Sequence, residues 1–176
     1  MQCGTWRRRT NAAGRAKSSI PVAALVDTNV LVYRYDPRTP EKRRIAIDLL
    51  RWGSEMGSIV VPYQAVVEFV AASTRPLTRG GPSLLTLQEA LREAEELPAQ
   101  FDLVYPNEEI IYLAIRGAAT YQLSWFDAHL WAYAEFYGLT ELYSEDFENG
   151  RIYGKVRVIN PFLSADSWVH ESPARY

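Results

Sequence analysis

"VAALVDTNVLVY", Val22 to Tyr33, is the stretch that decides the fold. Its first six residues are a short apolar run closed by Asp27, a pattern suited to a buried parallel strand. Asp27, Thr28 and Asn29 then interrupt what otherwise reads as core. Asn29 is a candidate cap for a short helical turn, and Asp27 is a candidate N-cap in its own right. A carboxylate at the end of a buried strand also stands where open α/β sheets bind ligands. The triplet alone does not decide between these readings.

Working outward, "RTPEKRRIAIDLLRWGSEMG" reads as a helix. Thr39 is its N-cap and Pro40, at N1, needs no hydrogen-bond acceptor. Ile45, Leu49, Trp52 and Met56 recur at helical spacing as one apolar face. "SIVVP" (58–62) is a second strand. "YQAVVEFVAAS" (63–73) is apolar almost all round and is expected to be buried, with Glu68 as its single charge. "TRPLTRGGPS" (74–83) is a loop. "SLLTLQEALREAEEL" (83–97) is amphipathic, with Leu84, Leu87, Leu91 and Ala94 expected inward. "FDLVYP" (101–106) is a strand. Asn107 and Ser124 cap the helices "EEIIYLAIRGAATYQ" and "WFDAHLWAYAEFYG", and "ELYS" and "KVRVIN" close the pattern as strands. Strands alternate with helices throughout. The expected fold is a three-layer α/β/α sandwich on a mostly parallel central sheet, in one domain over residues 21–165.

Composition narrows the function. The chain has 176 residues, 48% of them hydrophobic, enough for a packed core. A single Cys and two His argue against a disulfide framework and a structural zinc site. No apolar run approaches the roughly 20 residues of a bilayer span, and "IPVAALV" is too short for a secretory core. The protein is expected to be cytoplasmic. Residues 1–24 carry five basic side chains and no acid, so the rest of the chain has a net charge of −7. Residues 1–20 are expected to be a disordered leader without function, and residues 166–176 a C-terminal tail.

Four of the 21 acids stand apart. Asp27 ends the first strand, Glu68 interrupts an apolar helix, Asp127 opens another and Asp146 follows "ELYS". Each is placed at or toward a strand's carboxyl end. No Lys or Arg lies within four residues of Glu68, or within a helical turn of Asp127. A charge on an apolar element is costly unless paired or bound to a metal. If the four converge, their repulsion requires a cation, and all-oxygen donors select Mg²⁺ or Mn²⁺. Taken singly each has a plainer reading: Asp127 belongs to the capping sequence "SWFD", and Asp146 sits in the turn-like "SEDFENG".

In order, "VDTNVLVY", "PYQAVVEF", "WFDAHLWAYA" and "LYSEDFENGRIYGKVRVINPF" resemble the PIN domain and, within it, VapC-type toxins of toxin–antitoxin modules. The likeness covers roughly residues 24–163. It implies a metal-dependent ribonuclease whose acids are Asp27, Glu68, Asp127 and Asp146, with Asn29 and Ser144 in supporting polar positions. It also implies a small antitoxin as partner. Asp27 and Asp127 are the expected direct metal ligands, with Glu68 and Asp146 binding directly or through water. Glu145 is a further candidate for orienting ligands. His129 is expected to pack or cap.

Candidate RNA contacts are Arg75 and Arg79 in the loop, Arg151, and Arg34 and Arg43 within a basic cluster that includes Arg38, Lys42 and Arg44. The alternative for that cluster is a solvated helix face. An excess of aromatics (Trp52, Tyr112, Tyr121, Trp125, Trp131, Tyr133, Phe136, Tyr137) points to an interface, either dimerising or antitoxin-binding, and a homodimer is expected. Two other functions stay open: a housekeeping nuclease of this fold, and a catalytically silent partner-binding module. A haloacid dehalogenase-type phosphatase is disfavoured, because the position two after Asp27 is Asn29 rather than a second Asp. A response-regulator receiver is disfavoured by the late strands.

Overall fold

A computed structural model describes residues 23–163; the leader 1–20 and the tail 166–176 lie outside the described residues. Strand β1 (Ala24–Val26) is wholly buried and runs through Asp27 into the short helix α1 (Thr28–Tyr33). Asp27, not Asn29, occupies the N-cap position, yet its side chain makes no capping hydrogen bond. The carboxylate is therefore engaged elsewhere.

Helix α2 (Pro40–Met56) follows, with Pro40 in its first turn and Gly57 closing it at φ 60°. That left-handed cap favours a residue without Cβ. Strand β2 (Ile59–Pro62) leads into α3 (Tyr63–Thr74), and α4 (Leu87–Gln100) precedes β3 (Asp102–Val104). Helices α5 (Glu108–Tyr121) and α6 (Trp125–Tyr137) come next, capped by Asn107 and Ser124 as the sequence predicts. Strands β4 (Glu141–Tyr143), β5 (Ile152–Tyr153) and β6 (Val156–Ile159) end the described chain.

The six strands lie in the order β3-β2-β1-β4-β6-β5. All neighbours are parallel except β5, which turns back antiparallel on β6 at the edge. One face of the sheet, through Leu25, Val60, Val104, Leu142 and Val158, packs on α5 and α6. The other, through Ala24, Val26, Ile59, Val61 and Tyr143, packs on α1 to α4. This is the expected three-layer α/β/α sandwich.

Three helix faces differ from the sequence reading. In α2 the buried set is Ile45, Ala46, Leu49, Leu50 and Gly53, and Met56 is 48% exposed. The inward face is rotated because β2 approaches at Gly53, whose missing side chain makes room for Ile59. Helix α3 is not buried all round: Ala65, Phe69 and Ser73 face inward while Val67 is exposed. Helix α4 begins later than expected, where Thr86 and Glu89 form a reciprocal capping box. It buries Ala90 and Leu97 and leaves Leu87 and Leu91 59% and 52% exposed. Among the aromatics expected at an interface, Trp131 and Tyr133 are core, whereas Tyr112 and Trp125 are exposed.

Candidate active site

The order of the sheet fixes where a site forms. From β1 the chain proceeds through β2 to β3 on one side, whereas β4 and β6 lie on the other. The crevice beyond the carboxyl ends of β1 and β4 is thus the topological switch point, where open α/β sheets bind ligands. Asp27 leaves β1 at this point, and Ser144, Glu145 and Asp146 leave β4 beside it. The backbone N–H of Asp27 donates to the carbonyl of Tyr143 at 3.0 Å, tying the two ends together.

Asp27 is the floor of the site, only 7% exposed. Its Oδ2 accepts from Ser144 Oγ at 2.5 Å and from Asn29 Nδ2 at 2.9 Å. The Asn29 amide also donates to Asp146 Oδ2 at 3.2 Å, bridging two carboxylates. With carboxylates on both sides the amide must present its NH₂ to them. Its Oδ1 is left buried with no partner. Ser144, fully buried, also accepts from the Asp146 N–H at 3.1 Å. Asp146 stands at the exposed rim.

Glu68 reaches the crevice from α3. Its Oε2 accepts from Thr28 Oγ1 and its Oε1 from Gln64 Nε2, both at 2.8 Å. Gln64 donates as well to the carbonyl of Phe126 at 3.3 Å, joining α3 to the first turn of α6. Asp127 lies in that turn. Its N–H donates to Ser124 Oγ at 3.2 Å, and its Oδ2 accepts from the same hydroxyl at 2.7 Å. Asp127 therefore takes part in capping and faces the other acids as well.

The electrostatics agree with this convergence. Burial pushes the Asp27 carboxyl up to about 7; the Ser144 hydrogen bond opposes the rise, and the charges of Asp146 and Glu68 add to it. Burial also raises Asp127, against its bond to Ser124, and Asp146 and Glu68 contribute again. Among the described residues no Lys, Arg or His forms an ion pair with any of the four. His129 lies edge-on to Trp125, with ring centroids 4.4 Å apart, and burial lowers its pKa.

The donor set fits a hard divalent cation: four carboxylates of uncompensated charge around one crevice, all oxygen. Among the described residues no three acids, histidines or cysteines are drawn together as a ready-made cage. The carboxylates are instead held by Asn29, Ser144, Thr28, Gln64 and Ser124. Asp27, Glu68, Asp127 and Asp146 could hold the ion between them.

A pH dependence follows. The folded, metal-free protein keeps a proton on Asp27 that the unfolded chain releases near pH 4. Between about pH 4 and pH 7 the folded state therefore binds more protons, so its stability falls as pH rises through that window. Three pKa units correspond to about 4 kcal/mol as an upper bound, and relaxation around the buried charge brings the expected effect to about 2 kcal/mol. Melting in EDTA should show wild type losing stability from pH 5 to pH 8 relative to an Asp27→Asn variant. A constant gap between the two would mean that Asp27 titrates as an ordinary carboxylate.

Other candidate residues lie apart from this network. Glu145 turns away from the four acids and pairs with Lys42 and Tyr33. Arg34 is bound to Glu93 and to Tyr35 Oη, and Arg43 Nε donates to the Arg34 carbonyl. Arg151 pairs with Glu148 and lies over the Tyr153 ring. Arg75 and Arg79 are exposed on the segment between α3 and α4. None of the five arginines is bonded to the acid cluster. Thr28 and Gln64, which hold Glu68, have no site role in the sequence reading. Gln64 had a usable signal, since it stands four residues before Glu68 on one helix face.

A sequence profile of the PIN domain matches residues 24–155, more than half of the chain. No curated protein sequence matches it. Solved structures of similar fold include a toxin–antitoxin complex from Klebsiella pneumoniae, at 18% identity and TM-score 0.53, covering 79% of this chain and 98% of that one. A DNA-bound VapBC from Salmonella typhimurium aligns at 12% identity and TM-score 0.54, over 78% and 96% of the two chains. The sarcin–ricin loop-cleaving toxin VapC20 of Mycobacterium tuberculosis aligns at 15% identity and TM-score 0.51, over 72% and 90%. At these identities the likeness is one of fold.

Proposed function

The chain belongs to the PIN-domain family, and from that premise we propose that it is a metal-dependent endoribonuclease, the toxin of a VapBC-type pair. One observation carries the reading. Four carboxylates from β1, α3, α6 and the β4 end border the switch point without a basic partner, linked through Asn29, Ser144, Thr28 and Gln64 rather than in direct contact, and burial pushes Asp27 up to about 7. A structural role would pair such charges or replace them. A cation is what the arrangement lacks.

In this reading Asp27 and Asp127 are direct ligands of Mg²⁺ or Mn²⁺, with Glu68 and Asp146 completing the set directly or through water. When bound, the ion acidifies water and offsets charge on the scissile phosphate. The protein's own contribution is orientation. Asn29 fixes Asp27 and Asp146 relative to one another, and Ser144 holds Asp27 from the β4 side. Thr28 and Gln64 each donate to one oxygen of Glu68 and so orient its carboxylate at the crevice. Outer-shell partners of this kind commonly matter about 10- to 100-fold to affinity or activity. Hydrolysis joins a water oxygen to phosphorus and releases the 3′ oxygen with a proton. Arg75 and Arg79, exposed and in no ion pair among the described residues, are the favoured RNA contacts.

The purified protein should cleave RNA with Mg²⁺ or Mn²⁺, stop when EDTA is added and resume when the ion is restored. Equal cleavage in EDTA would remove the metal from the proposal. Failure to bind Mn²⁺ by calorimetry would favour the silent partner-binding module instead.

A protein partner is part of the same proposal. Val67 on α3, Leu87 and Leu91 on α4, and Ile111, Tyr112 and Ile115 on α5 are exposed apolar side chains. Apolar patches of this kind mark interaction surfaces. An antitoxin and a second copy of the chain are the partners proposed for them. Among the described residues no helix is long and apolar enough to cross a membrane.

A further inference from the structure

The backbone leaving β4 is held from two sides, and only one side faces the acids. Ser144 and Asp146 turn toward Asp27 and Asn29. Glu145, between them, turns the other way and accepts hydrogen bonds from Tyr33 Oη and Lys42 Nζ. Lys42 arrives from the first turn of α2. It also donates to Tyr33 Oη at 3.0 Å, and its ammonium sits 4.6 Å from the Tyr33 ring centroid and 5.5 Å from that of Phe162. Those two rings meet edge to face with centroids 4.9 Å apart.

A lysine on a surface helix ordinarily keeps its ammonium in water. This one is flanked by the Tyr33 and Phe162 rings, the Tyr33 hydroxyl and the Glu145 carboxylate, and its side chain is 34% exposed against 19% for Glu145. These contacts span α2, α1, the β4 end and the last described turn. Glu145 lies between Ser144 and Asp146 in the chain and bonds on the opposite side, so holding it outward helps to hold its two neighbours toward the acids. Without the clamp, Glu145 would be a fifth free carboxylate one residue from Asp146.

We propose that Lys42 is a positioning residue of the nuclease site. By holding Glu145 against Tyr33 and Phe162 it sets the direction in which Ser144 and Asp146 face. The inference rests on the reading that the four acids hold a divalent cation.

The sign of one measurement separates this role from simple electrostatics. Lys42 is a positive charge near a cation site, so Coulomb's law alone makes its removal tighten metal binding. Loss of positioning loosens it. Mn²⁺ calorimetry on the full chain, with melting curves alongside, should give about tenfold weaker binding for Lys42→Met, the scale of losing an outer-shell support. Lys42→Arg should retain most of the affinity, because a guanidinium can keep both the carboxylate and the ring contacts. Glu145→Gln tests the clamp from its other side with Lys42 present. It should weaken binding similarly, and the double variant should bind no worse than the weaker single one.

Unchanged or tighter Mn²⁺ binding in Lys42→Met, with only KM for RNA raised, would overturn the inference and make Lys42 a phosphate contact. If wild type binds Mn²⁺ and both single variants match it, this inference alone falls. If wild type binds none, the metal reading falls and takes this one with it.

Discussion

Asp27→Asn should abolish metal-dependent RNA cleavage and, in the same preparation, make the metal-free protein more stable. The two effects share one cause. Asp27 is the buried floor of a crevice shared with three other acids, and no basic side chain compensates it. Asparagine has the same shape. Its carbonyl oxygen can accept from Ser144 Oγ and Asn29 Nδ2 as the carboxylate does. The charge is lost without a cavity and without stranding either donor. Above about pH 7 the folded wild type must ionise a desolvated carboxyl beside Asp146 and Glu68, and the variant need not. The expected gain in EDTA is about 2 kcal/mol at pH 8. The expected loss of cleavage is about 10³-fold, the upper scale for removing one preorganised electrostatic group from an active site. Saturating Mn²⁺ should stabilise wild type far more than the variant, since only wild type binds it tightly. A variant that cuts RNA at the wild-type rate would remove Asp27 from the site. One that is less stable in EDTA would show that its charge is compensated after all.

Trp131→Ala carries the largest expected loss of stability. Trp131 is buried on α6, and its indole lies across α5 at Gly117, where an added Cβ would come within 2.5 Å of the ring. Its edge meets Tyr121, with centroids 5.3 Å apart, and its Nε1 donates to the buried carbonyl of Tyr153 at 2.9 Å. Removing the side chain opens a cavity between the two helices, and truncations of this kind cost about 3–5 kcal/mol. The Tyr153 carbonyl is then left without its donor, which adds about 1 kcal/mol or more. A total near 5 kcal/mol approaches the whole stability of many domains. Thermal unfolding should fall by about 10–20 °C, or the variant should be unfolded at 37 °C. Trp131→Phe should lose less, because it fills most of the space and forfeits only the donor and part of the ring. Gly117→Ala should lose about 1–3 kcal/mol by overpacking the same contact. A Trp131→Ala protein within about 1 kcal/mol of wild type would mean that α5 and α6 are not held through this ring.

The acids were legible because each is a lone charge on an apolar element, a conflict visible without coordinates. Asp27 ends a buried run, Glu68 breaks an apolar helix and Asp127 opens another. What holds them was not legible. Thr28 reaches Glu68 across 40 residues of sequence and Lys42 reaches Glu145 across 103, and no local pattern encodes such pairs. Lys42 fell within a run of basic residues that resembles an ordinary solvated face. Only the fold shows that one member of that run is bound to Glu145. Helix phase failed for a related reason. Several apolar residues compete for the inward side of α2 and α4, and the neighbour decides. Gly53 admits Ile59 and turns Met56 outward, and burial of Ala90 and Leu97 leaves Leu87 and Leu91 outside. The two-residue strand β5 is too short for its residues to signal it, and only its pairing with β6 makes it a strand.

The ends of the sheet limit how this protein can meet another. Its outermost strands, β3 and β5, have three and two residues, and β5 is already turned back on its neighbour. Neither offers a row of free main-chain groups long enough for an added strand to continue the sheet. Among the described residues, the short edges therefore disfavour recruitment by β-augmentation, a common way for an extended peptide to be captured. An extended segment laid against it must be recognised through its side chains, so changes in the partner's sequence should be felt in affinity directly. The same short edges guard the isolated chain against edge-to-edge self-association while its helical surfaces are uncovered.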